Sequence, residues 1–257
     1  MIRMMHIDKT FHPGTVNETR LFQGFDLDIA DGDFVAVVGS NGSGKTTLLN
    51  LLCGSLPCDS GRILVNGRDV TSLPEHRRAA SIGRVYQDPS MGTVPDMTIL
   101  ENLSLAARKG KPYGLSRAIN RREAATFREL VASVGLGLED RMEVPVGLLS
   151  GGQRQALSLL MATMTPIDLL ILDEHTAALD PKTAETVMQI TGRVVAEKGV
   201  TTLMVTHNLR YAVEYGNRLL MMHEGHAVLD KAGAAKQAVG VADLLGLFNS
   251  ISIECGN

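Results

Sequence analysis

From Phe34 onward the sequence commits to one local geometry, a strand, a glycine loop and a helix joined without a spacer. Phe34-Val35-Ala36-Val37-Val38 is a continuous apolar run, as expected of a strand covered on both faces. It enters Gly39-Ser40-Asn41-Gly42-Ser43-Gly44-Lys45-Thr46-Thr47, which satisfies G-x-x-x-x-G-K-[ST] at each fixed position. Helical periodicity follows through Thr46–Cys53. Glycines let such a loop curl with its N–H groups inward, so that loop and helix N-terminus together cradle a phosphate. Lys45 is then the point charge on the β- and γ-phosphates of a nucleoside triphosphate, and Thr46 offers its hydroxyl to Mg²⁺.

A chain of 257 residues can bury one large core, or one core with a satellite. Net charge is −3, Trp is absent and aromatics are 4%, so nothing suggests a base-stacking surface. The scattered basic residues between Arg117 and Arg128 fall at helical spacing and read as a solvated face, not as a nucleic-acid site. The N-terminus lacks the apolar core of a signal peptide, and no apolar run is long enough to span a bilayer. The expectation is a soluble chain whose link to a membrane runs through a partner. Cys53, Cys58 and Cys255 do not suit a disulfide framework and read as thiols in a reducing cytoplasm.

Met4–Ile7 reads as a strand, and Phe25, Leu27 and Ile29 alternate with Asp26 and Asp28 to predict another. Gly61–Gly67 predicts a hairpin strand ending in an Asn-Gly turn, and Ser81–Tyr86 a further short strand. From Asp88 to Met164 the pattern turns helical, over Ile99–Arg108, Arg117–Val134 and Gln153–Met164. Leu169–Leu172, Pro181–Glu197, Thr201–Thr206, Leu209–Tyr215 and Asn217–His223 then alternate strand and helix, as a parallel sheet with crossover helices requires. A short helix is expected over Val241–Phe248, followed by a loose tail.

A second cluster narrows the reading. Leu149-Ser150-Gly151-Gly152-Gln153-Arg154-Gln155 opens a helix with Ser150 as N-cap, a second potential anion site. The glycines Gly151 and Gly152 allow a backbone to approach a phosphate. Leu169-Leu170-Ile171-Leu172-Asp173-Glu174 is an apolar strand ending in two carboxylates, and Asp173 at the carboxyl edge of the sheet can hold Mg²⁺ through water. Phosphate loop, LSGGQ element and Asp-Glu strand, in this order, resemble the nucleotide-binding subunit of an ABC transporter.

That resemblance covers nearly the whole chain, from Phe11 to about Asp230. It implies an α/β fold: a P-loop NTPase (RecA-like) core, an antiparallel β subdomain and an inserted α-helical subdomain. The division would be 1–87 and 165–230 for core and β subdomain, 88–164 for the helical subdomain, and 231–257 for a short C-terminal extension. It further implies ATP binding by Gly39, Ser40, Asn41, Gly42, Ser43, Gly44, Lys45, Thr46 and Thr47, with Phe11 stacked on adenine. Ser150, Gly151, Gly152 and Gln153 would close on the ATP of a second copy in a head-to-tail homodimer, with Asp180 of Ala178-Leu179-Asp180-Pro181 at that interface. Glu174 would be the general base, His207 would touch the γ-phosphate, and Gln87 would reach Mg²⁺ and the attacking water beside Thr46 and Asp173. Integral membrane permease subunits would be the partners, docking near the loop Gln87–Met97, whose Met91, Val94 and Met97 give it an adaptable apolar surface. The chain would then sit in the cytoplasm, peripheral on the inner face of the cell membrane.

One position departs from the family pattern. Where Pro usually follows the base, this chain has His175, expected to add a titratable donor beside the γ-phosphate. The run Glu174-His175-Thr176-Ala177-Ala178-Leu179-Asp180-Pro181, with Pro13-Gly14-Thr15-Val16-Asn17-Glu18, resembles one bacterial importer subgroup. That subgroup pairs with a branched-chain-amino-acid-type permease and an extracytoplasmic solute-binding protein, and some members serve aromatic amino acid uptake. The ATPase of an exporter or lipid system, and a soluble non-transport ABC ATPase, remain open alternatives.

Overall fold

The computed structural model describes residues 1–110 and 123–254, with side chains to residue 250. In chain order the elements are β1 (Ile2–Phe11), β2 (Thr19–Ile29), β3 (Phe34–Gly39), α1 (Lys45–Cys53), β4 (Ser60–Val65), β5 (Arg68–Asp69) and α2 (Glu75–Arg78). Then come β6 (Ile82–Val85), α3 (Ile99–Ala106), α4 (Ala124–Ala132), α5 (Gly151–Thr163), β7 (Leu169–Asp173) and α6 (Pro181–Lys198). The chain continues through β8 (Thr202–Val205), α7 (Leu209–Glu214), β9 (Arg218–His223), β10 (His226–Ala232), α8 (Gly233–Gln237) and α9 (Val241–Glu254). These fall into two compact units: Met1–Arg78 with the described chain from Val200 onward, and Ala79–Gly199.

In the first unit β2, β1, β4 and β5 form an antiparallel sheet in that order. Ile2 stands opposite Ile29, and Met4 opposite Leu27, on the face where Phe25, Leu27 and Ile29 are buried while Asp26 and Asp28 stay exposed. The expected Asn66-Gly67 turn joins β4 to β5, with φ +49° and +77°, as a type I′ hairpin turn requires. β3, buried along its whole length, pairs in parallel with β8 and β9. β10 was not among the expected strands. It returns antiparallel from β9 through Glu224-Gly225, and a Cβ at Gly225 would run into the Leu21 carbonyl oxygen.

Arg78, 3% exposed, holds the end of α1: Nη1 donates to Leu51 O at 2.7 Å and Leu52 O at 3.1 Å. The last turn of α1 carries no basic residue of its own, so this guanidinium supplies the positive charge that a helix C-terminus favours. Cys53, buried, and Cys58 are both free thiols. α9 runs past the expected Phe248 to Glu254, where neither Gly nor Pro interrupts it. Cys255 lies outside the described residues.

In the second unit β6 and β7 run parallel, Ile82 beside Leu169 and Val85 beside Leu172. α3 starts at a capping box, Thr98 accepting from Glu101 N and Glu101 from Thr98 N. The fully buried Asn102 ties the loop before α3 in place, accepting from Val94 N at 2.8 Å and donating to Val94 O, Met97 O and Thr98 O. Of the expected helix Arg117–Val134, the structure describes α4; residues 117–122, and with them most of the expected basic face, lie outside the described residues. No described helix is long and apolar enough to cross a membrane.

Candidate functional site

The parallel register of the first unit brings its site residues to one edge. Val37 pairs with Val205, and Thr206 N donates to Val37 O, so the loop after β3 and His207 after β8 both leave the sheet at its carboxyl end. Gly39 is held between Ser43 and β9, where a Cβ would collide with the Met222 carbonyl and Ser43 Oγ. Gly42 (φ +78°) and Gly44 (φ +103°) turn the loop through the left-handed region. Ser40, Asn41 and Gly42 are exposed, while Ser43, Gly44 and Lys45 are buried. Lys45 Nζ donates to Gly39 O and Ser40 O, both at 2.8 Å, and lies 3.4 Å from Ser43 Oγ. The ammonium is thus folded back on its own loop.

The cap of α1 is Gly44, which has no side chain to accept from the first-turn N–H groups, and that turn contains no acidic residue. Those N–H groups and the positive end of the helix are the fit an anionic phosphate needs. Thr46 is exposed and Thr47 half-buried at the same turn. His207 is exposed, followed by Asn208, which caps α7 by accepting from Arg210 N and Tyr211 N. Phe11 ends β1 half-buried opposite Thr19, with Lys9 Nζ 5.9 Å from its ring centroid.

The second unit has its own edge. Since Val85 lies beside Leu172, Gln87 after β6 and Asp173-Glu174 at the end of β7 leave the strands together. Gln87 is exposed; Asp173 and Glu174 are half-buried. Glu174 adopts φ +47°, a left-handed conformation uncommon for a residue with a Cβ and characteristic of strained functional positions. Asp173 has a partner that the sequence reading missed: Arg84 Nη2 donates to its Oδ2 at 2.7 Å. The signal was a charge within the apolar run Ile82–Val85.

His175 is corrected. It does not point toward a phosphate; it is 2% exposed, with Nε2 3.1 Å from Thr191 Oγ1 inside the unit. The Thr191 hydroxyl donates to Val187 O at 2.8 Å, which leaves its oxygen to accept from a ring N–H. Burial lowers the imidazole pKa to about 4, so the ring is neutral at physiological pH.

Ser150 caps α5 as expected, in a capping box: Ser150 Oγ accepts from Gln153 N, and Gln153 Oε1 accepts from Ser150 N. Gln153 Nε2 also donates to Leu136 O, so this side chain serves the helix start. Gly151 is exposed. Gly152 is buried where a Cβ would collide with Thr183 Cγ2, a need for close helix packing that adds to any need for phosphate access. Asp180 caps α6, its Oδ1 accepting from Thr183 N at 3.1 Å, and this hydrogen bonding to Thr183 holds its carboxyl below the usual range.

Among the described residues no three His, Cys, Asp or Glu side chains gather to enclose an ion. Mg²⁺ bound with nucleotide phosphates takes only one or two protein ligands, and the exposed Thr46 hydroxyl and the Asp173 carboxylate are each of the right chemistry.

Residues 22–177 match the family described as ABC transporter. The chain belongs to the ABC transporter family. This ABC ATPase is 43% identical to a tyrosine transport ATP-binding protein of Clostridioides difficile (strain R20291), over 96% of this chain and 98% of that one. It is 38% identical to the lipoprotein-releasing system ATP-binding protein LolD 1 of Caulobacter vibrioides, over 86% of this chain and 92% of that one. A dimeric ATP-binding cassette solved in a post-hydrolysis state, bound to ADP and Pi, superposes with a TM-score of 0.74 at 27% identity, covering 90% of this chain and 98% of that one. The fold is that of the ABC ATPase domain, a P-loop NTPase, and the chain is the ATP-binding, ATP-hydrolysing subunit of an ABC transporter. Its relatives serve different cargoes, one tyrosine transport and another lipoprotein release.

Proposed function

We propose that this ABC ATPase powers an importer of a small solute, and that the solute is an aromatic amino acid. The observation that carries this reading is the 43% identity, over almost the full length of both chains, to a tyrosine transport ATP-binding protein. In this reading two copies pair head to tail, the loop Gly39–Thr47 of each facing Ser150–Gln153 of the other; that a similar cassette bound to ADP and Pi is dimeric supports the pairing. Lys45 and the α1 N-terminus hold the ATP phosphates, Phe11 stacks on the adenine, and Asp180 lies at the pairing surface. Glu174 accepts the proton of the attacking water, with Gln87 and His207 orienting water and γ-phosphate. Thr46, Asp173 and Gln87 would hold Mg²⁺, and the ion would supply neutralising charge to the phosphates.

Permease subunits are the membrane partners, and an extracytoplasmic binding protein delivers the solute. The docking surface is the loop 87–97, where Met91 is 69% and Val94 39% exposed. The test is reconstitution in proteoliposomes with the permease and binding protein from the same operon. ATP outside inverted vesicles, or inside right-side-out ones, should drive labelled tyrosine, phenylalanine or tryptophan in the import direction, and Glu174→Gln should stop it. ATP-driven movement in the export direction, or of lipid alone, would overturn the importer reading while leaving the ATPase in place.

A further inference from the structure

Glu174 stands at φ +47°, where the backbone of an L-residue must be held by its surroundings. Contacts lie on both sides of it. On one side, Ala177 N donates to Glu174 O at 2.9 Å and closes the turn behind it. On the other, the side chain of the next residue, His175, turns into the interior and meets Thr191 Oγ1 at 3.1 Å. Thr191 is itself fully buried on α6, and its hydroxyl is fixed by donation to Val187 O. The strand end, the turn and the long helix thus share a polar contact among apolar side chains: Leu170, Ile171 and Leu172 precede it, and Val187, Met188, Ile190 and Val194 lie along the buried side of α6. A donor with one acceptor in such a place has one low-energy orientation, because any other leaves a buried polar atom unsatisfied.

We propose that His175 is a positioning residue for hydrolysis: its bond to Thr191 fixes the peptide that follows Glu174 and so holds Glu174 in the left-handed conformation that directs its carboxylate. This rests on the reading of Glu174 as the general base, which Glu174→Gln tests separately by loss of hydrolysis with ATP binding kept. A plain core histidine would behave differently. Its loss would lower stability without separating kcat from KM.

The experiment compares four single variants and one double variant in steady-state ATP hydrolysis and in fluorescent-nucleotide binding. Thr191→Val removes the acceptor at nearly constant shape, and His175→Leu removes the donor. Each should lower kcat about tenfold with KM and nucleotide affinity within about twofold of wild type. His175→Gln and Thr191→Ser keep a donor and an acceptor and should hold kcat within about threefold. The double variant His175→Leu/Thr191→Val should be no slower than the worse single one, since both remove one bond. Wild-type kcat in folded Thr191→Val overturns the proposal, as does a loss carried by KM. If His175→Leu does not fold, the Thr191→Val and Thr191→Ser pair decides alone. Wild-type hydrolysis by Glu174→Gln would instead remove the base assignment itself.

Discussion

Arg84 Nη2 lies 2.7 Å from Asp173 Oδ2 across the parallel strands β6 and β7, with the two side chains 13% and 18% exposed. The guanidinium also stacks on the Tyr86 ring at 4.7 Å, and Tyr86 O accepts from Gln155 Nε2 on α5. The carboxylate that ends β7 is thereby connected to the helix that Ser150 starts through Arg84 and Tyr86, the ring of Tyr86 meeting the guanidinium and its backbone carbonyl meeting Gln155.

Replacing that cation should be costly. Arg84→Met keeps the length but leaves Asp173 largely buried without its counter-charge, and a loss of about 3 kcal/mol is expected. Adding Asp173→Asn should recover part of it, because the stranded charge is then gone. Urea denaturation of the two single variants and the double variant gives the coupling, and an Arg84→Met protein as stable as wild type would show that the pair contributes nothing.

The buried His175 predicts a pH dependence of stability. Its pKa is about 4 in the folded chain against 6.5 for an unperturbed imidazole, because burial disfavours the charged ring. Above pH 6.5 both states are neutral at this site and the full stability is present. As pH falls from 6.5 toward 4, the unfolded chain takes up a proton that the folded one refuses, and stability drops by about 3 kcal/mol in total. His175→Gln should remove that component, so unfolding free energies at pH 7.5, 6 and 5 should show a shallower slope than wild type. Parallel slopes would contradict the assignment.

Gly152→Ala tests the helix contact. The added methyl meets Thr183 Cγ2, and overpacking of this kind costs about 1–3 kcal/mol. Thr183→Ser removes the opposing methyl and keeps the backbone N–H that Asp180 accepts from, so the double variant Gly152→Ala/Thr183→Ser should melt close to wild type. Thermal denaturation reads both; no rescue would mean that Gly152 is needed for another reason.

Mixing two inactive variants tests whether sites are shared between copies. Lys45→Ala spoils the phosphate loop and Ser150→Arg spoils the start of α5. In a mixed dimer one composite site carries neither lesion, so hydrolysis should recover to a fraction of wild type. Activity equal to the sum of the separate proteins, in a mixture shown by crosslinking to contain mixed dimers, would argue for self-contained sites or for two sites that must both be intact.

The elements most legible in the sequence were those whose cause is local. The run Phe34–Val38 into Gly39–Thr47 specifies strand, turn and helix by neighbours alone, and Asn66-Gly67 marks its hairpin by φ preference. β10 escaped because its residues are mostly exposed and so give no buried alternation, and its turn, Glu224-Gly225, lacks the usual Asn or Asp. Within the site, Asp173 and Glu174 were readable from their place at the end of an apolar run. Their surroundings were not, because Arg84 reaches Asp173, and Thr191 the neighbouring His175, only once strands and helices have packed. His175 shows the limit most clearly: it directly follows the half-buried acids Asp173 and Glu174 at the strand end, and only the fold decides that its ring turns inward.

Where Gly152 meets α6, the nearest side chain is the short, β-branched Thr183, whose Cγ2 lies against the glycine at the first turns of the two helices. Most helix pairs are cushioned by long side chains whose rotamers can yield, and such a joint absorbs a small displacement. This one rests on a β-branched side chain, whose χ1 is restricted in a helix. A displacement at the cap of Asp180 therefore meets little slack before it reaches the cap of Ser150, and the two helix starts are tied to move together.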